Sequence, residues 1–142
     1  MAKPNQHQPL LDLWKELEVY QTQRADCCPE PDCPGLCCNF EIAAMMPMVS
    51  WLEWQVIKGF LSEQNWELPE LKGFECPFLQ NKRCMVYVVR PTGCRVYFCH
   101  MIQEADYQEY LPWIEKAKQL DPEFRKGTRP ILDWFYQELF DY

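Results

Sequence analysis

The chain has 142 residues, 48% of them hydrophobic, enough for one domain with a core of its own and no need of cystines in place of a missing core. Lys and Arg number 14 against 21 Asp and Glu, a formal charge of -7 that opposes binding to nucleic-acid phosphates. No apolar stretch reaches the roughly 20 residues of a membrane span, and the N-terminal residues lack the apolar run of an export signal, so a cytoplasmic protein with its nine cysteines kept reduced is expected.

In chain order, Leu10, Leu13, Trp14, Leu17 and Tyr20 or Gln21 recur at helical spacing and predict an amphipathic helix from residue 9 to about 24. From Asp26 to Asn39 the density of Cys, Pro and Gly rules out regular structure, because Pro29, Pro31 and Pro34 each remove a backbone donor. Phe40 to Met48 is apolar and reads as a short strand or extended lead-in. Ser50-Trp51-Leu52-Glu53 matches a capping box, in which hydroxyl and carboxylate reciprocally satisfy two backbone N–H groups, and predicts a helix to about Gln64.

Gly73 to Tyr87 predicts a loop and a short hairpin turning at Asn81 and Lys82, and the stretch Met85 to Val89 has strand chemistry. Arg90-Pro91-Thr92-Gly93 reads as a turn, followed by β-favouring Val96, Tyr97 and Phe98. A helical stretch from Glu104 to about Leu120 is interrupted or restarted at Pro112. Arg125, Lys126 and Arg129 read as a solvated loop. The last helix spans Pro130 to Phe140, with Ile131, Phe135 and Leu139 on one face and Leu132, Tyr136 and Phe140 on its neighbour; for Trp134, Phe135, Tyr136, Tyr107 and Tyr110 core packing is expected over a binding groove. The fold class expected is α+β, mainly α, with residues 1–142 as one domain: helices flank a small irregular Cys-rich centre with a short β-hairpin, stapled by metal.

Reduced cysteines in such number have three uses, namely metal ligation, redox chemistry, or burial as small apolar groups. Clustering beside prolines and charged residues argues for metal, and adjacent cysteines make strained, easily reduced bridges. Thiolates suit Zn²⁺, Cu(I) and iron-sulfur clusters, and four of them complete one tetrahedral zinc or one cubane. Between Cys76, Cys84, Cys94 and Cys99 lie seven, nine and four residues, so the chain must fold to bring them together. The doublet Cys37-Cys38 points to opposite sides of an extended backbone and suits two metals or two faces of one cluster.

The doublet, followed by Cys76-Pro77-Phe78-Leu79, Cys84-Met85-Val86-Tyr87, Arg90-Pro91, Cys94-Arg95 and Cys99, resembles the YkgJ-type cysteine cluster family, whose signature is CxxCxxCC, over roughly residues 27 to 100. The resemblance implies chelation of zinc or an iron-sulfur cluster by eight cysteines: Cys28, Cys33, Cys37, Cys38, Cys76, Cys84, Cys94 and Cys99. Upstream gaps of four and three residues depart from the family's two, and the extra Cys27 leaves either it or Cys28 as the first ligand; Cys28 is preferred because Pro29 repeats the Cys-Pro pairing of Cys33-Pro34 and Cys76-Pro77. Some relatives are iron-sulfur flagellin lysine N-methylases, but the five glycines here are isolated and make no nucleotide-binding loop. A metal-binding accessory or interaction factor with a protein partner is expected over an enzyme.

Arg90 and Arg95 flank Cys94 and have two readings, as donors to metal-bound sulfur or as turn residues paired with carboxylates. His100 reads as an ordinary half-exposed histidine, ahead of a zinc ligand in place of one cysteine, and His7 as solvated.

Overall fold

A computed structural model describes residues 4–22, 46–73, 75–81, 83–96, 108, 110–122 and 127–140. The predicted apolar stripe forms the inner face of helix α1 (Pro4–Thr22), with Leu10, Leu13, Trp14 and Leu17 buried. The helix starts five residues earlier than predicted and carries Pro9 within it. Pro9 is exposed and costs one intrahelical bond, while the stripe beginning at Leu10 holds the helix down. A polar lead-in has no periodicity from which to read a start.

Strand β1 (Met48–Ser50) runs directly into α2 (Trp51–Glu63). The capping box forms as predicted: the Glu53 N–H donates to Ser50 Oγ at 3.2 Å and the Ser50 N–H donates to Glu53 Oε1 at 3.0 Å. Six successive residues, Leu52 to Ile57, are buried, so α2 is the central helix, apolar on more than one face.

Strands β2 (Leu79–Gln80) and β3 (Arg83–Cys84) make the expected hairpin, with Leu79 opposite Cys84 and Gln80 opposite Arg83. Asn81 turns it at φ 52°, a left-handed conformation that Asn tolerates. Beyond the hairpin the structure departs from the predicted strand. Tyr87–Val89 is a 3₁₀ turn and Thr92–Val96 is a short helix, α3. Strand chemistry has no effect without a neighbouring edge to pair with; here the turn buries Val86 and leaves Val88 63% exposed. The Pro91 carbonyl accepts the N–H groups of Cys94 and Arg95 at 3.0 and 3.1 Å, which begins the helix where a plain turn was expected.

Helix α4 (Leu111–Gln119) carries Pro112 in its first turn, where the missing N–H has no intrahelical acceptor to lose. Most of the predicted helical lead-in, residues 104–107 and 109, lies outside the described residues, as do Tyr97, Phe98, Arg125 and Lys126. Arg129 is not in a loop. It belongs to strand β4 (Thr128–Pro130), which pairs antiparallel with β1, Val49 opposite Arg129. Its guanidinium lies 4.9 Å from the Trp134 ring centroid and donates to Gln137 Oε1, so the cation is held against α5 (Ile131–Phe140).

The main core lies between α2, the hairpin and α5. Trp54 meets Phe135 edge-on at 5.2 Å and stacks with Trp134 at 6.2 Å, while Phe78 approaches Phe135 to 4.8 Å. Full burial of one such ring is worth about 1.5–3 kcal/mol. A second cluster joins α1, α2 and α4 through Leu10, Trp14, Leu52, Val56 and Ala117, and a third gathers Leu17, Val96 and Tyr110. Core packing thus holds for Trp134, Phe135 and Tyr110, but Tyr136, Leu139 and Phe140 are exposed, so α5 buries only the N-terminal half of its two predicted faces. The described residues are mainly helical with two small antiparallel strand pairs, in keeping with α+β.

Candidate metal centre

Three of the predicted ligands, Cys76, Cys84 and Cys94, lie among the described residues; Cys28, Cys33, Cys37, Cys38 and Cys99 lie outside them, with Cys27 and His100. Cys76 stands where the chain enters the hairpin, its carbonyl accepting the Leu79 N–H at 3.0 Å. Cys84 stands opposite Leu79 in β3, and pairing continues as the Met85 N–H donates to the Phe78 carbonyl at 2.8 Å. The hairpin therefore brings both cysteines, eight positions apart in the chain, to its open end. Cys76 is 5% exposed within the main core, and Cys84 is half-buried against the same cluster.

Cys94 is half-buried in the first turn of α3. Its neighbour Arg95 is buried, with Nε donating to the Arg90 carbonyl at 2.7 Å and an Nη donating to the Val88 carbonyl at 3.0 Å. Its guanidinium also lies 4.3 Å from the Trp14 ring centroid. Burial pulls the Arg95 pKa down to about 10, the Arg90 charge pulling the same way and Glu18, Glu53 and Cys94 pulling back. At neutral pH the guanidinium stays charged. Arg90 donates to the Tyr87 carbonyl at 3.1 Å and covers the Tyr87 ring at 3.7 Å. Of the two readings of these arginines, the bonds just given serve the turn, through backbone carbonyls rather than carboxylates.

Helix α3 is anchored from α1 and α2. The Thr92 N–H donates to Glu53 Oε2 at 2.5 Å, and Trp14 Nε1 donates to Thr92 Oγ1 at 3.0 Å. A Cβ on Gly93 would come within 3.2 Å of the Met48 carbonyl oxygen, so α3 lies close against the chain entering β1. The sequence names Glu53 only as a helix cap and Gly93 only as a turn glycine. Nothing in either motif signals the second carboxylate oxygen reaching 39 residues along the chain.

His7 is not solvated as expected. It lies in α1 with Nε2 buried and without a hydrogen-bond partner among the described residues, its ring facing Gly59 of α2. Burial holds its pKa below the ordinary 6.5, with Glu63 opposing.

Among the described residues no group of three or more Cys, His, Asp or Glu side chains gathers at one point. Cys76, Cys84 and Cys94 are thus three seats rather than a finished site. Their chemistry suits a soft cation: a bare thiolate against aromatic core is costly, a metal-bound one much less so, and beside Cys94 a buried guanidinium offsets negative charge.

A family model described as "CxxCxxCC: Putative zinc- or iron-chelating domain" matches residues 26–113. The matched stretch includes all nine cysteines. No curated protein and no solved structure matches the chain. No helix among the described residues is long and apolar enough to cross a membrane.

Proposed function

The chain belongs to the CxxCxxCC domain family, and from that premise we propose that it holds zinc or an iron-sulfur cluster through the thiolates of Cys28, Cys33, Cys37, Cys38, Cys76, Cys84, Cys94 and Cys99. Residues 1–142 then act as one domain with 27–100 as its metal-binding core, working in the cytoplasm as an accessory or interaction factor for a protein partner. A bound metal would supply a cross-link between distant chain segments and, as a cluster, an electron store.

The observation that carries this is the match over all nine cysteines. The scaffold supports it. Cys76 and Cys84 share the open end of a hairpin packed on the aromatic core, and Cys94 sits on a helix pinned by Glu53 and Trp14. Arg95 holds the turn joining the two seats and places its positive charge beside Cys94.

Elemental analysis and a visible spectrum of protein purified without air test the proposal. Stoichiometric zinc in a colourless protein, or iron with acid-labile sulfide in a brown one, is expected, together with loss of that metal when Cys84 and Cys94 are changed to Ser. A folded, metal-free protein that takes up neither contradicts it. Binding of S-adenosylmethionine by the loaded protein would contradict the accessory role.

A further inference from the structure

We propose that buried Glu53 is a positioning residue for the cysteine site: its second carboxylate oxygen, bonded to the Thr92 N–H, fixes the short helix that carries Cys94. The inference rests on the metal-binding role proposed above. Glu53 is 3% exposed and divides its two oxygens between two helix starts. Oε1 accepts the Ser50 N–H and completes the cap of α2, while Oε2 accepts the Thr92 N–H at 2.5 Å, two residues before Cys94. A cap alone needs only the first bond. The second joins the longest-buried helix of the fold to a five-residue helix too short to hold itself in place.

Two other contacts constrain the same turn. Trp14 Nε1 donates to Thr92 Oγ1 from α1, and Gly93 leaves no room for a Cβ of ordinary spacing against the Met48 carbonyl. Cys94 is thus located by the frame on three sides, whereas Cys76 and Cys84 are located by the hairpin and its aromatic packing. Losing the Glu53–Thr92 bond would free Cys94 and leave the other two where they are.

E53Q read against S50A separates this role from capping, because a glutamine has one oxygen for two N–H donors and keeps either the Ser50 bond or the Thr92 bond, while S50A disturbs the cap alone. Glutamine serves at this position of a capping box as well as glutamate does, but its amide presents N–H to one of the two donors, so one of the two bonds is lost. S50A is the structural control, because it weakens the cap of α2 and leaves the Thr92 bond in place. The readout is the rate of iodoacetamide alkylation at Cys76, Cys84 and Cys94, resolved by peptide mass spectrometry on full-length protein loaded with Zn²⁺ without air and again after chelation. For the loaded wild type, protection of Cys84 and Cys94 that chelation removes is expected. For loaded E53Q, alkylation at Cys94 is expected to rise roughly tenfold or more, the weight of one hydrogen bond to a charged group, with Cys76 and Cys84 unchanged.

G93A, which presses on α3 from the other side, is expected to show the same selectivity. If E53Q raises all three rates together, raises none, or leaves Cys94 no faster than S50A does, Glu53 is a structural residue and the inference falls while metal binding stands. If chelation leaves every wild-type rate unchanged, metal binding itself falls and takes the inference with it.

Discussion

The helical frame and the cysteine-bearing stretch are built on different principles. Helices α1, α2 and α5 are 10 to 19 residues long and hold together by buried side chains such as Leu10, Trp14, Trp54 and Phe135. Residues 76–96 contain two-residue strands, a three-residue 3₁₀ turn and a five-residue helix. None of these is long enough to be stable alone. They are placed by individual bonds from frame and turn: Glu53 to Thr92, Trp14 to Thr92, Arg95 to two carbonyls. The frame supplies stability, and the short stretch supplies thiols at fixed points.

If that division is right, metal removal should strike one side of it first. Chelation is expected to speed amide hydrogen exchange in residues 79–96 while α2 and α5 keep their protection, because metal in small thiolate sites contributes on the order of 10 kcal/mol to folding. Uniform loosening, or none after confirmed stripping, would break the division.

The next largest effect lies on the seam. Trp54 touches Phe78 below the hairpin and Trp134 and Phe135 in the frame, so W54A is expected to cost about 3–5 kcal/mol in denaturant unfolding. The loss should appear in both regions in a single transition. S50A acts inside the frame alone and is expected to cost about 1 kcal/mol, the ordinary weight of a helix cap, read from the same unfolding curves.

The smallest effect is a pH dependence. His7 has a folded pKa below the ordinary 6.5, so above that pH it is neutral folded and unfolded. As pH falls below 6.5 the unfolded chain takes up the proton first, and frame stability declines until the folded pKa is passed. H7Q is expected to flatten that part of the curve of unfolding midpoint against pH.

Legibility follows the same division. The stripe on α1, the Ser50–Glu53 cap and the Asn81 turn were all readable, because each is written in side chains within a few residues of one another. The strand expected at Met85 to Val89 was not formed, since Val and Tyr favour a pleated surface only where an edge is available. Strand β4 escaped reading because its pairing with β1 joins residues some 80 positions apart, and Arg129 hides the signal behind a charge that Trp134 absorbs. In the candidate site, the family was legible in the cysteine pattern, and the second bond of Glu53 was not, being a contact between two segments that each look complete alone.

X-ray absorption at the metal edge of anaerobically purified protein tests the central claim most directly, because it reads the atoms that touch the ion. The expected result is a first shell of sulfur alone, at about 2.3 Å if the metal is zinc. A shell of oxygen or nitrogen, or protein with no metal to measure, would contradict it.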